Sequence, residues 1–81
     1  MSAKILIVDD DDLVRRSIQF NLNRSPYSVS STASPVDALL RLKEEAFDVV
    51  MTDVMMPEMD GLTLLTHIKH SYPSIRVVVM T

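Results

Sequence analysis

The chain has 81 residues, 47% of them hydrophobic and 23% charged, with no cysteine and a formal net charge of −3. That length holds one small domain, and that balance is globular rather than disordered. The acidic charge argues against direct nucleic-acid contact, and the absence of cysteine excludes a disulfide framework, a thiolate metal site and a cysteine nucleophile.

Met1-Ser2-Ala3-Lys4 leads into an apolar run too short, and too soon ended by acid, to be a secretory leader. No stretch approaches the length of a membrane span, so a soluble, cytoplasmic domain with no membrane contact is expected. The first strand is predicted from Lys4 to Val8. Ile5-Leu6-Ile7-Val8 then stops at four consecutive aspartates, Asp9 to Asp12. Such a run reads as a buried strand that delivers carboxylates to one edge of a sheet.

Asp11 or Asp12 suits a helix N-cap, and the helix runs to about Asn23 with Val14, Ile18 and Leu22 as its apolar repeat and Leu13 beside them. Arg24-Ser25-Pro26 breaks it. Tyr27 to Ser31, polar and alternating, predicts an edge strand. Ser34-Pro35-Val36-Asp37 predicts a helix start, with Ser34 as cap, Pro35 at the first position and Asp37 reaching back. Ala38, Leu39 and Leu42 form that helix's apolar face.

Phe47 to Thr52 predicts a central parallel strand that, like the first, ends at an aspartate, Asp53. The loop to Asp60-Gly61 has turn chemistry at Pro57 and at Asp60-Gly61, and the sole glycine, Gly61, suggests a positive φ. Leu62, Leu65 and Ile68 mark a third helix, stopped near Pro73. Ile75 to Met80 predicts the fourth strand, and Thr81 follows. The order β-α-β-α-β-α-β predicts an α/β fold: a doubly wound parallel sheet with right-handed crossovers and helices on both faces.

In such a sheet ligands bind beyond the carboxyl ends of the strands, where strand order reverses. Asp9, Asp10 and Asp53 occupy those ends, with Thr81 ending the fourth strand. Crowded carboxylates need a proton or a cation, and oxygen ligands plus water suit Mg²⁺. One carboxylate could then act as nucleophile toward a phosphoryl group, with Thr81 donating a hydroxyl to it.

Four segments, in register across the chain, carry a family resemblance: Ile5 to Asp10, Asp48 to Asp53, Met56-Pro57-Glu58-Met59-Asp60-Gly61, and Val77 to Thr81. The sequence resembles the receiver domain of bacterial two-component response regulators, which have a flavodoxin-like fold. The resemblance implies that residues 1–81 form one receiver domain, and that Asp53 accepts a phosphoryl group from a sensor histidine kinase or phosphotransfer protein. It implies that Asp10, Asp53 and the backbone carbonyl of Met55 ligate Mg²⁺, that Asp9 holds metal-bound water, and that Thr81 is the switch hydroxyl. It also implies a continuation past Thr81: a helix, a strand bearing a phosphate-binding lysine, and a last helix. Lys43 and Lys69 fall on predicted helices away from the strand ends. Without that continuation the fourth strand is an open apolar edge, so the segment is expected to be incomplete at its C-terminus or to self-associate.

Other readings bear on the same residues. A degenerate receiver would serve only for dimerisation or docking. An aspartyl-nucleophile phosphohydrolase places a second Asp two residues past the nucleophile, where this chain has Met55, so a turnover enzyme is not expected. One glycine cannot build a glycine-rich nucleotide loop. His67 and His70 are expected on a solvated helix surface, Asp48 and Asp60 in structural roles, and Met55, Met56 and Met59 either packing the loop or forming a soft docking surface.

Overall fold

In a computed structural model, residues 3–23, 26–57 and 59–80 are described. Four parallel strands, β1 (Ala3–Val8), β2 (Tyr27–Thr32), β3 (Val49–Asp53) and β4 (Arg76–Met80), lie in the order β2-β1-β3-β4. Helices α1 (Asp12–Leu22), α2 (Pro35–Glu44) and α3 (Gly61–Ser71) connect them. The chain runs outward from β1 to β2, then returns past β1 to β3, so strand order reverses between β1 and β3. Right-handed crossovers then put α1 on one face and α2 with α3 on the other. Among the described residues no helix is long and apolar enough to cross a membrane.

The main core lies on the α2/α3 face. Leu6, Val8 and Val50 of the sheet meet Ala38 and Leu42 of α2 and Leu64 and Ile68 of α3, closed by Phe47, Met56 and Ile75. Alternation along β1 turns the buried Ile5 and Ile7 to the other face, under α1. There the cover is partial. Ile7, Met51 and Val78 stand side by side in register, and their exposure rises along that row until Val78 is 46% exposed. The two edge strands differ in kind: β2 reads Tyr-Ser-Val-Ser-Ser-Thr, whereas β4 reads Arg-Val-Val-Val-Met.

Several expectations are corrected. The third strand begins at Val49, not Phe47, because Phe47 fills the core and the Asp48 carboxylate accepts the Lys4 backbone N–H at 2.7 Å. The buried line of α3 is Gly61, Leu64 and Ile68, while Leu62 is exposed and Leu65 only half-buried. On α1 the expected stripe is only half-covered at Ile18 and Leu22, Val14 is exposed, and no side chain is fully buried. Asp37 does not reach back to its cap. It pairs with Arg41 at 2.9 Å, and the Ser34 N–H donates instead to the Thr32 hydroxyl. Gly61 has no positive φ; its requirement is space.

Candidate functional site

The acid edge is assembled by two neighbouring strands. Val8 pairs with Thr52, so the next residues, Asp9 and Asp53, emerge side by side. One carboxylate oxygen each from Asp9, Asp10 and Asp53 lies within 4.8 Å of the others. Their environments are graded: Asp9 is 3% exposed, Asp53 half-buried and Asp10 exposed.

Asp9 is set by its backbone and by its neighbour. Its N–H donates to the Thr32 carbonyl, extending the β1–β2 ladder, and its Oδ1 accepts the Asp11 N–H at 2.9 Å. Burial raises its pKa above the ordinary carboxylate value; the Asp11 amide opposes this, and the charges of Asp53, Asp10 and Asp11 add to the rise. Asp11 caps α1 by accepting the N–H groups of Leu13 and Val14 at 2.9 and 3.2 Å. Asp12 pairs with Arg15. The acid run therefore divides: Asp9 and Asp10 gather with Asp53, whereas Asp11 and Asp12 start α1.

Asp53 is held from three sides. Its carbonyl accepts the Thr52 hydroxyl at 3.0 Å, and its register partner on β4 is Met80. Gly61 presses on it from α3, where a Cβ would meet the Asp53 carbonyl oxygen at 2.1 Å. The Gly61 N–H also donates to the Val54 carbonyl at 2.8 Å. Asp60 caps α3 through the Thr63 N–H at 2.7 Å.

Between these points the loop turns past the acids. Met56 is buried and Met59 packs on the core, whereas Met55 is exposed. Asp10, Met55, Met56 and Pro57 line a shallow open depression beside the cluster. Thr81 lies outside the described residues.

The residue types fit one hard divalent cation. At a metal–oxygen distance of about 2.1 Å, two ligands lie about 3 Å apart when adjacent and about 4.2 Å when opposite. Oxygens gathered within 4.8 Å of one another lie close to that range. All three residues are carboxylates, and the burial of Asp9 with the mutual repulsion of the group suits a cation there.

Other features fall elsewhere. A larger cavity of about 460 Å³ lies at the opposite end of the sheet, between the C-terminal ends of α2 and α3, lined by Phe47, Tyr72 and Ile75 among others. Lys4 and Lys69 also work at that end: Lys4 pairs with Glu45, and Lys69 donates to the Ile75 carbonyl. Lys43 lines the cavity itself. His67 and His70 sit exposed on α3 beside Thr63 and Thr66. Sequence reasoning missed Arg15, whose Nη1 donates to the Asp9 carbonyl at 2.8 Å. Six residues separate the two across a strand end and a helix start, a spacing that follows no periodicity.

Comparison with known proteins matches residues 5–81 to the response regulator receiver domain. The chain is 40% identical over 79 residues to the sensor kinase CckA of Brucella abortus, covering 95% of this chain and 8% of CckA. It is 36% identical over 81 residues to the response regulator MprA of Mycobacterium bovis, covering all of this chain and 35% of MprA. Among solved structures it is similar to the signal receiver domain of an HD domain-containing protein from Pseudomonas fluorescens Pf-5. That match has a TM-score of 0.93 and 31% identity, and covers 96% of this chain and 57% of the other. The chain thus spans about a third or less of these two curated relatives.

Proposed function

The chain belongs to the response regulator receiver domain family, and from that premise we propose that Asp53 is its phosphoacceptor and that Mg²⁺ is held by Asp10, Asp53 and the Met55 backbone carbonyl, with Asp9 holding metal-bound water. Receiver domains of two-component systems are phosphoacceptor signalling modules, and this one has the doubly wound, flavodoxin-like fold of its solved neighbours. The observation that carries the residue assignment is the meeting of the Asp9, Asp10 and Asp53 oxygens within 4.8 Å at the ends of adjacent strands.

Asp53 supplies the nucleophile. One carboxylate oxygen attacks the phosphorus of a phosphohistidine on a sensor kinase or phosphotransfer protein. The P–N bond breaks, the imidazole nitrogen leaves and takes up a proton, and an acyl phosphate forms on Asp53. Mg²⁺, held by Asp10, Asp53 and the Met55 carbonyl with Asp9 on its water, would supply positive charge that offsets the charge of the acids and of the incoming phosphoryl group. The Thr52 hydroxyl and the close approach of Gly61 both act at the Asp53 carbonyl, which helps to orient the strand end that presents the carboxylate. Asp9 is buried on a ladder bond and an amide bond, which suits an outer role. Met80 pairs with Asp53, and Thr81, next in sequence, is assigned the switch hydroxyl. The modification adds roughly two negative charges and new acceptor oxygens, enough to re-seat a hydroxyl and a loop. Met55 cannot transfer a proton, so a stoichiometric switch in the cytoplasm is favoured over turnover.

The test is incubation with Mg²⁺ and acetyl phosphate or a phosphoramidate, read by intact mass. One phosphoryl adduct is expected, absent in Asp53→Asn. An adduct that persists in that variant, or none on folded chain, defeats the assignment. Release of many phosphates per chain would favour the phosphohydrolase instead.

A second reading rests on β4. Val77, Val79 and Met80 are half-buried and Val78 is exposed along an edge that pairs with no further strand among the described residues. Apolar edges of this kind recruit a further strand. The 81-residue chain on its own is therefore expected to self-associate, and light scattering that finds a cooperatively folded monomer rejects this.

A further inference from the structure

We propose that Arg15 is a positioning residue for the acid cluster: its guanidinium fork fixes the Asp9–Asp10 peptide and thereby places the Asp10 carboxylate. The inference rests on the reading of Asp9, Asp10 and Asp53 as a Mg²⁺ site.

Asp10 is the exposed member of the cluster, and its side chain makes no hydrogen bond or ion pair among the described residues. Its direction therefore follows from its backbone. That backbone is gripped at the preceding carbonyl, where Arg15 Nη1 donates to Asp9 O at 2.8 Å. The other arm of the fork holds the Asp12 carboxylate. Arg15 thus bridges the end of β1 and the first turn of α1, spanning the short link that carries Asp10. Its side chain is only 17% exposed, so the fork is sheltered from competing water. Arginine suits this task because its planar donors engage two acceptors at fixed angles, which a lysine ammonium cannot do.

The need for such a fork follows from how α1 is attached. The helix has no fully buried side chain, and its apolar residues Ile18 and Leu22 are only half-covered, so apolar packing holds it less firmly over the sheet than it holds α2 and α3. Two polar clamps add to it. Gln19 donates to the Val29 carbonyl at 3.3 Å and accepts the Ser31 hydroxyl at 3.0 Å, tying the helix to β2. Arg15 ties it to the acid edge.

A purely electrostatic role predicts the opposite sign. A cation beside five acids repels Mg²⁺, so removing it would tighten binding. A positioning role predicts that binding weakens, because groups that orient metal ligands typically change affinity about 10–100-fold when lost.

The experiment is Mg²⁺ titration of the unphosphorylated 81-residue chain, followed by amide NMR shifts that also report folding. Arg15→Met keeps the stem and loses the donors; it is expected to weaken Mg²⁺ binding about tenfold or more. Arg15→Lys, the gentler variant, should fall between. Asp12→Asn leaves the grip on Asp9, and Gln19→Met breaks only the other clamp, so both should stay within about twofold on the same grounds. Unchanged or tighter binding by Arg15→Met, or by Arg15→Lys if the first variant does not fold, overturns the proposal. So does equal weakening by Gln19→Met, which would make helix attachment the cause, or by Asp12→Asn, which would make the helix ion pair the cause. An unsubstituted chain that binds no Mg²⁺ strikes down the site reading as well. Normal binding that Arg15→Met leaves untouched strikes only the positioning role.

Discussion

On the α2/α3 face, Leu6, Val8 and Val50 press against Ala38, Leu42, Leu64 and Ile68, all buried. On the α1 face, Ile5 and Ile7 are equally buried, yet the helix above them leaves Leu13 and Phe20 78% and 67% exposed. One side of the sheet is held by apolar area removed from water, at about 1.5–3 kcal/mol for each large side chain. The other buries Ile5 and Ile7 in the sheet but no side chain of its helix, which adds the side-chain hydrogen bonds of Arg15 and Gln19, each worth about 0.5–1.5 kcal/mol net, or somewhat more where charged. Strand β3, which ends in the proposed phosphoacceptor Asp53, lies between, and that last residue is braced from the apolar side, by Gly61 of α3. Rigidity is thus concentrated behind Asp53, and Asp10 is left to the polar side.

The largest test of this contrast is Leu64→Ala, which should cost about 2–5 kcal/mol in urea unfolding. A loss below about 1 kcal/mol would mean that the apolar face is not the anchor. Gly61→Ala should follow at about 1–3 kcal/mol, because the methyl meets a backbone carbonyl that cannot rotate away. It should also slow phosphoryl transfer to Asp53, and a normal rate would show that α3 does not brace the acid.

A third test uses pH. Asp9 has a raised pKa when folded, so the folded chain holds that proton more tightly than the unfolded one. Without divalent metal, its contribution to stability therefore declines as pH rises from the ordinary carboxylate pKa through the raised one. Asp60, lowered chiefly by the Thr63 amide, acts oppositely: its contribution is present above the ordinary pKa and is lost as pH falls through the lowered one. Asp9→Asn should thus stabilise the metal-free chain at neutral pH, and added Mg²⁺ should shrink or reverse that gain. Thermal melts with and without Mg²⁺ decide it, and a destabilised metal-free variant refutes the sign. The smallest effect is Leu13→Ser, expected within about 0.5 kcal/mol of the parent. A larger loss would reveal apolar contacts under α1 that the described packing lacks.

Much of the architecture could be read from residues alone. Runs such as Ile5 to Val8, stopped by acid, marked strands, and Ser34-Pro35 marked a helix start, because each signal is local. The cluster was legible for the same reason: β1 and β3 end in acid, and a parallel sheet brings those ends together. What was not legible depended on contacts between distant segments. The phase of α3 is set where Gly61 meets Asp53, which turns Leu64 inward and leaves Leu62 in solvent. Asp37 lost its reciprocal cap because Thr32, from the preceding strand, satisfied the Ser34 amide first. Arg15 gave no signal because its partner is a backbone carbonyl, which every residue has.

The unlike edges of the sheet carry a consequence for stoichiometry. A β4 edge meeting its own copy around a two-fold axis uses the same surface on both chains, and such an isologous contact closes on itself. The edges then left outermost belong to β2, with Ser28, Ser30 and Ser31 among its residues. Growth into a filament would need that hydroxyl-rich border to accept a strand as readily as the valine border does. For residues 1–81 taken alone, association through β4 is therefore expected to stop at two chains.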